Sequence, residues 1–435
     1  MRTNPNRFHG RSNPSHLPAD ESFSLWLVTA AVFLTLVDPT LGATAGMLLA
    51  LLAIIPRVSN LRPLPGTRTL LLLVSWVILS LTWTRSIDLT LAAIRDMVVA
   101  LILVVAVGTV CTSSRRVTTV ATSFFAGLVI FIARFVLQNG LTPSALLSGA
   151  STRATITGIN ANQVAYTLAT GVAVTLALTH GGSRLRKFSW IVFAVTAAIA
   201  TGMTGSRGAV LGLILLAAWV MLHRLAGGRF RSLLATAFWL LPAAALSGIL
   251  DDMFRPATSS VRDTGDLNGR LTIWPIARAM TGENPMLGVG FGAFEEVAGF
   301  GIRTHNAYLA YASETGLIGL LLFCLVLYRL NIRGGTDRRA VPLLSGAVAI
   351  VSAPLLYTGA WDRSAVIWIA LALTASSFRS GISDGEGETA ETLLVGGLDP
   401  AESFEKSHRR GRLGMSRPSY IQANQTHLPT DRRIG

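Results

Sequence analysis

The chain has 435 residues, of which 51% are hydrophobic and only 14% charged, with a formal net charge of +14. That balance places it among integral membrane proteins, and it excludes nucleic-acid binding because the arginines fall between apolar runs rather than on one basic face. With Cys111 and Cys324 as the only cysteines, no structural disulfide is expected.

The N-terminal arm, 1–22, carries Arg2, Arg7 and Arg11 and lacks an apolar segment with a small-residue cleavage site, so no removable signal peptide is expected. Twelve apolar segments follow, at about 23–37, 41–55, 69–83, 89–110, 119–137, 160–179, 188–203, 208–222, 233–250, 306–328, 341–357 and 364–378. A membrane helix needs roughly 20 apolar residues. The segments therefore predict an all-α integral membrane protein with about twelve transmembrane helices in a polytopic domain, 23–378. The first two share the Asp38-Pro39 break and could instead form a re-entrant hairpin. The polar tail, 379–435, is expected to be disordered. If the N-terminus is cytoplasmic, most of the 37 lysines and arginines lie inside, and the excess survives removal of the tail. Both termini are thus expected in the cytoplasm, with the protein in the cytoplasmic (inner) membrane. One long outer loop, about 251–305, separates helices 9 and 10. Within it, 272–281 reads as a short helix, with Thr272 as its cap and Pro275 in its first turn.

Several polar residues stand out against this apolar background. His305 sits where the long outer loop meets helix 10. Histidine titrates nearest neutral pH and is the natural base for activating a hydroxyl. Position alone leaves an equal alternative, in which Thr304, His305 and Asn306 cap a helix at the water interface. Arg207 lies in the tight Gly205-Ser-Arg-Gly208 link, and Arg270 begins the short outer helix with Trp274 one turn on. Arg153 precedes Ile156-Thr-Gly-Ile-Asn160. Arg95 and Arg134 lie within the outer parts of their helices, Arg95 roughly 10 Å below the surface. Charges at such depth usually line a polar cavity. A guanidinium fork matches phosphate bidentately, so an outward arginine cluster suits a lipid-linked pyrophosphate. Arg85, Arg255 and Arg363 read instead as snorkelling to headgroups. Glu314 follows His305 by nine residues, half a turn away on a straight helix, and so reads as the partner of an arginine rather than of His305. The spacing offers no metal site and no cofactor motif: Gly288, Gly290 and Gly292 do not form a dinucleotide fingerprint, and no serine-hydrolase elbow is present.

Taken in order, Gly205-Ser-Arg-Gly-Ala209, Gly269-Arg-Leu-Thr-Ile-Trp274, Asn284-Pro-Met-Leu-Gly-Val-Gly290, His305-Asn306 and Glu314-Thr-Gly316 resemble the O-antigen ligase and polymerase superfamily over roughly 150–330. The resemblance implies transfer of a glycan from an undecaprenyl-pyrophosphate carrier to a glycan or lipid acceptor hydroxyl at the outer membrane face, without a metal or cofactor. It implies that His305 is the base and that Arg207 and Arg270 hold the pyrophosphate, with Arg153, Asn160 and Asn306 as further substrate contacts. Arg95 and Arg134 join them as substrate-binding candidates from their depth. The chain departs from the pattern in its short, aromatic-poor outer loop, which argues against glycan recognition by a stacking platform. The rival class is a twelve-helix transporter or flippase of lipid-linked sugars. That reading predicts two related halves and midplane ionisable residues, whereas here the ionisable residues gather at the outer surface.

Overall fold

The computed structural model describes residues 19–61, 63–140, 154–178, 184–249, 270–299, 301–331, 341–359 and 363–377. Of the chain's two units, Met1–Ser383 and Asp384–Gly435, only the first contains described residues. The N-terminal arm before residue 19 and the expected disordered tail lie outside them.

Helices account for nearly all of what is described. They are α1 (Ala19–Val37), α2 (the helical run Pro39–Ser59), α3 (Thr67–Leu79), α4 (Ile87–Val110), α5 (Ser114–Asn139), α6 (Ala161–Leu178) and α7 (Arg184–Met203). Next come α8 (Arg207–Ser247), α9 (Arg270–Glu283), α10 (Phe294–Val297), α11 (Ala307–Asn331), α12 (Val341–Thr358) and α13 (Ala365–Ser377). No strand occurs among the described residues; the only β feature is an isolated bridge between Ile156 and Ile159. This is an all-α membrane protein. By length and composition alone, four helical stretches suffice to cross a membrane: Pro39–Ser59, Ile87–Val110, Ser114–Asn139 and Ala307–Leu330, the last of them broken at Gly316. Exposed Leu48, Leu52, Leu71, Leu72, Ile191 and Val195 have the character of a lipid-facing surface. α6 and α13, by contrast, are buried nearly all round, from Val164 to Thr175 and from Val366 to Ser376. They form the centre against which the others pack.

The Asp38-Pro39 break makes a hairpin. Asp38 caps α2 by accepting from the Thr40 N–H at 2.8 Å, and Gly42 and Gly46, in a π-helical turn, return against Thr35 and Ala31 of α1. Elsewhere α12 packs on α8 and α6, α1 on α5, and α11 on α3 and α9.

One expected pair of elements and one expected span take a different form. The segments expected at 208–222 and 233–250 form one helical run of 41 residues, which if straight would measure about 60 Å. Its two ends are much closer than that. Gly208 abuts Thr358, Tyr357 packs on Trp274 with ring centroids 5.6 Å apart, and Arg278, one turn beyond Trp274, abuts Gly248. The run is therefore bent rather than straight.

The segment expected as one span at 306–328 is broken at Gly316, whose φ of 70° and ψ of −177° are not helical. Tyr311 stacks on Phe323 at 4.1 Å and Tyr308 meets the same ring at 6.1 Å. On a straight helix positions 311 and 323 would be about 18 Å apart. α11 is thus a short helix, Ala307 to Thr315, followed by a sharp reversal.

Breaking a helix inside a membrane orphans backbone groups that lipid cannot satisfy. The Gly288–Gly292 turn supplies the partners. Val289 N–H donates to Ser313 O at 2.9 Å and Gly290 N–H to Glu314 O at 2.8 Å, while Leu317 N–H donates to Pro285 O at 2.8 Å. The Trp76 indole N–H donates to Thr315 O at 3.0 Å. Gly288 and Gly290 hold positive φ in direct contact with Glu314 and Thr84, where a Cβ has no room.

Candidate functional site

His305 opens α11 from a constrained turn. Its φ of +51° makes it the one non-glycine residue in the left-handed region among the described residues, a conformation that costs about 1–2 kcal/mol. The neighbours enforce it. The buried Trp274 indole donates to Thr304 O at 2.9 Å, and the Thr304 hydroxyl donates to Asn306 O at 3.1 Å. Asn306 is fully buried and its Oδ1 accepts from Leu309 N–H at 3.2 Å, capping the helix. Half-buried His305 sits between two buried residues, Thr304 and Asn306. Asn306 thus takes the helix-capping role that the sequence also allowed for this turn.

Arg270 is the first residue of α9, two residues earlier than expected, one turn before Trp274. Thr272 is therefore inside the helix rather than its cap, and Pro275 lies past the first turn. Arg207 is exposed at the start of α8, behind Gly205 at a φ of +64°. The adjacent Gly208 lets Thr358 of α12 close against the link. The elements that carry His305, Arg270 and Arg207 thus converge on Trp274, Tyr357 and Thr358. Arg153 lies outside the described residues.

A second polar group lines a cavity of about 500 Å³ between the α1–α2 tip, α4, α5, the start of α6 and the start of α13. Arg95 and Arg134 both line it, as their depth in the sequence implied, together with Asp38, Asp96, Thr157, Gln163 and Arg363. Arg95 reaches Asp96 at 3.0 Å and Arg134 approaches Asp38 at 3.7 Å. The Arg134 guanidinium also donates to Val37 O at 2.5 Å. Asp38 is held below the usual carboxylate range, first by the Thr40 hydroxyl, then by the Thr40 and Leu41 backbone N–H groups and Arg134, with burial opposing. Asn160 borders this group but its Oδ1 is taken by the Asn162 N–H at 2.8 Å, so like Asn306 it caps a helix.

Arg363 corrects the sequence reading. Instead of snorkelling to headgroups, it donates to Glu314 Oε2 at 2.6 Å, with side chains 8% and 4% exposed, and lies over the Phe291 ring at 4.9 Å. The same carboxylate oxygen accepts from Gly292 N–H at 2.8 Å. Glu314 is thus the arginine partner its spacing from His305 implied, and it ties the glycine turn, α11 and the cavity wall together. Nothing local marks Arg363 in sequence, because its partner is 49 residues away. Among the described residues, no three His, Cys, Asp or Glu side chains gather as metal ligands.

Residues 191–324 match the family model described as O-antigen ligase. No curated protein matches the chain. The match runs from α7 into α11 and takes in Arg207, Arg270, His305 and Glu314. It leaves out every residue that lines the cavity.

Proposed function

We propose that this chain, O-antigen-ligase-like over residues 191–324, transfers a glycan from an undecaprenyl-pyrophosphate carrier to an acceptor hydroxyl at the outer face of the cytoplasmic membrane. The observation that carries the reading is His305, held in a strained left-handed turn by Trp274 and Asn306 inside the family-matched segment. Strain of this kind persists where surrounding structure over-determines it, and it clusters at active sites.

In the proposed step His305 takes the proton from the acceptor hydroxyl. The oxygen forms its bond to the anomeric carbon as the bond from that carbon to the pyrophosphate oxygen breaks. The electron pair leaves with the pyrophosphate, whose charge Arg207 and Arg270 stabilise. Pyrophosphate is already a good leaving group, so two positioned guanidiniums and one base suffice without a metal. Attack opposite the departing group inverts the anomeric centre. Arg153 and the free parts of Asn160 and Asn306 are secondary substrate contacts in this reading. The acceptor is either the end of another carrier-linked glycan or a separate lipid or glycan. About twelve spans follow from the apolar segments, and cytoplasmic termini and an outward-facing site from the distribution of Lys and Arg.

One feature favours a second reading. A helix broken at a glycine, as α11 is at Gly316, is the kind of element that forms transport sites when it lies in the membrane. One experiment separates the two. Purified protein in vesicles is given undecaprenyl-pyrophosphate oligosaccharide, and released carrier pyrophosphate and lengthened glycan are measured. Glycan lengthening that disappears in His305→Ala supports transfer. Intact labelled substrate crossing the bilayer, with no carrier released, would replace it with transport.

A further inference from the structure

We propose that the cavity between the α1–α2 tip, α4, α5 and α6 is a subsite for the uncharged sugar end of the acceptor glycan. It rests on the transfer reading above and assigns the cavity to hydroxyl groups rather than to pyrophosphate.

Charge bookkeeping separates the two ligands. Each arginine on the cavity wall already faces a carboxylate: Arg95 with Asp96, Arg134 with Asp38, Arg363 with Glu314. A pyrophosphate would find no unmatched guanidinium among these three, and it would lie against Asp38 and Asp96, which repel it. A sugar hydroxyl both donates and accepts, so it can give to a carboxylate and take from a guanidinium at once. Thr157 and Gln163 add further neutral hydrogen-bonding groups. Val99, Ile159 and Val366 supply apolar wall suited to the C–H faces of a sugar ring. The volume falls within the range of small-molecule sites, about 300–1,000 Å³.

Placement favours the acceptor over the donor. The cavity includes none of His305, Arg207 and Arg270, yet its wall from Arg363 to Val366 follows α12, whose end at Thr358 packs beside Gly208. Tyr166 of α6 joins the two sites by donating to Thr358 O at 3.1 Å. All the lining residues also fall outside the family-matched 191–324. A common donor chemistry with a chain-specific acceptor places the specificity residues there.

The test is a protection measurement on the full chain in vesicles. Thr157→Cys is introduced on the exposed cavity rim, with Gln163→Cys as a second reporter, while native Cys111 and Cys324 are buried. The rate of labelling by a thiol reagent is followed with neutral hexose and N-acetylhexosamine oligosaccharides, and separately with inorganic pyrophosphate. A neutral oligosaccharide should slow labelling about threefold at about twice its Kd, and pyrophosphate should not. Adding Asp38→Asn, which keeps a helix-capping side chain, or Asp96→Asn should remove the protection. Protection by pyrophosphate alone, protection by no probe, or protection that survives both Asn variants overturns the subsite. If the Cys reporters are protected by sugars but the wild type transfers no glycan, the subsite stands and the proposed reaction falls. Active transfer with no protection does the reverse.

Discussion

Two polar regions share one end of the helix bundle and handle charge in opposite ways. Around His305, the backbone is strained and Arg207 is exposed, with no ion pair to it among the described residues. In the cavity, no described non-glycine residue holds a positive φ, and each guanidinium faces a carboxylate. The first is suited to meeting charge that appears during a reaction, because exposed Arg207 faces no carboxylate among the described residues. The second is suited to holding a neutral, hydroxyl-rich group. Family resemblance covers the first region and stops short of the second, as expected if chemistry is shared and specificity is not.

The comparison is broken most directly at His305. Replacing it with Ala should lower glycan transfer by about 10²–10⁴-fold, the usual contribution of a general base, while membrane insertion is unchanged. Wild-type polymer length from that variant would leave the strained turn without a catalytic role. Arg207→Lys and Arg270→Lys should each lose about 10²–10³-fold in turnover, since an ammonium cannot reproduce the bidentate fork on phosphate. Full activity in both would make them headgroup anchors and remove the contrast between the regions.

A smaller effect is expected where the regions are tied together. Arg363→Ala leaves Glu314 buried without its cation, and loss of one member of such a pair costs about 3–5 kcal/mol. The thermal unfolding midpoint of purified protein should fall sharply, and Glu314→Gln in the same chain should recover part of it. No recovery would mean that Arg363 stabilises chiefly by its place over Phe291.

The smallest effect concerns Asp38. Its carboxyl is held below the usual range, so its charged form adds stability that is present above the unfolded value of about 3.9. That contribution is lost as pH falls through the lower folded value. Wild type should therefore unfold at a higher temperature than Asp38→Asn near neutral pH, with the gap closing in stronger acid. A gap that stays constant into acid would show that the charge at the tip is not what matters.

Much of this was legible in the residues themselves. Apolar runs located the helices, and the depth of Arg95 and Arg134 implied a polar cavity that the fold supplies. The helical offset from His305 marked Glu314 as an arginine's partner, but which arginine was not visible, and Arg363 was read as a surface anchor. The run 306–328 gave no sign of bending, because Gly316 is one of two glycines in an apolar stretch and a straight helix accommodates both. Thr272 had the residue type of a cap, yet the helix starts at Arg270.

The sequence by itself determined the membrane class, the helices, the direction of charge bias and the ordered motifs around Arg207, Arg270 and His305, because these depend on local composition and spacing. Tertiary structure alone decided that α11 reverses at Gly316, that the glycine turn satisfies the broken helix, and that Arg134 and Arg363 of the cavity are paired. Each depends on a partner far away in the chain: Glu314 meets Gly292 and Arg363, Thr315 meets Trp76, and Arg134 meets Asp38. Burial removes water as the alternative partner, so the pairing of every polar group becomes a property of the packed whole.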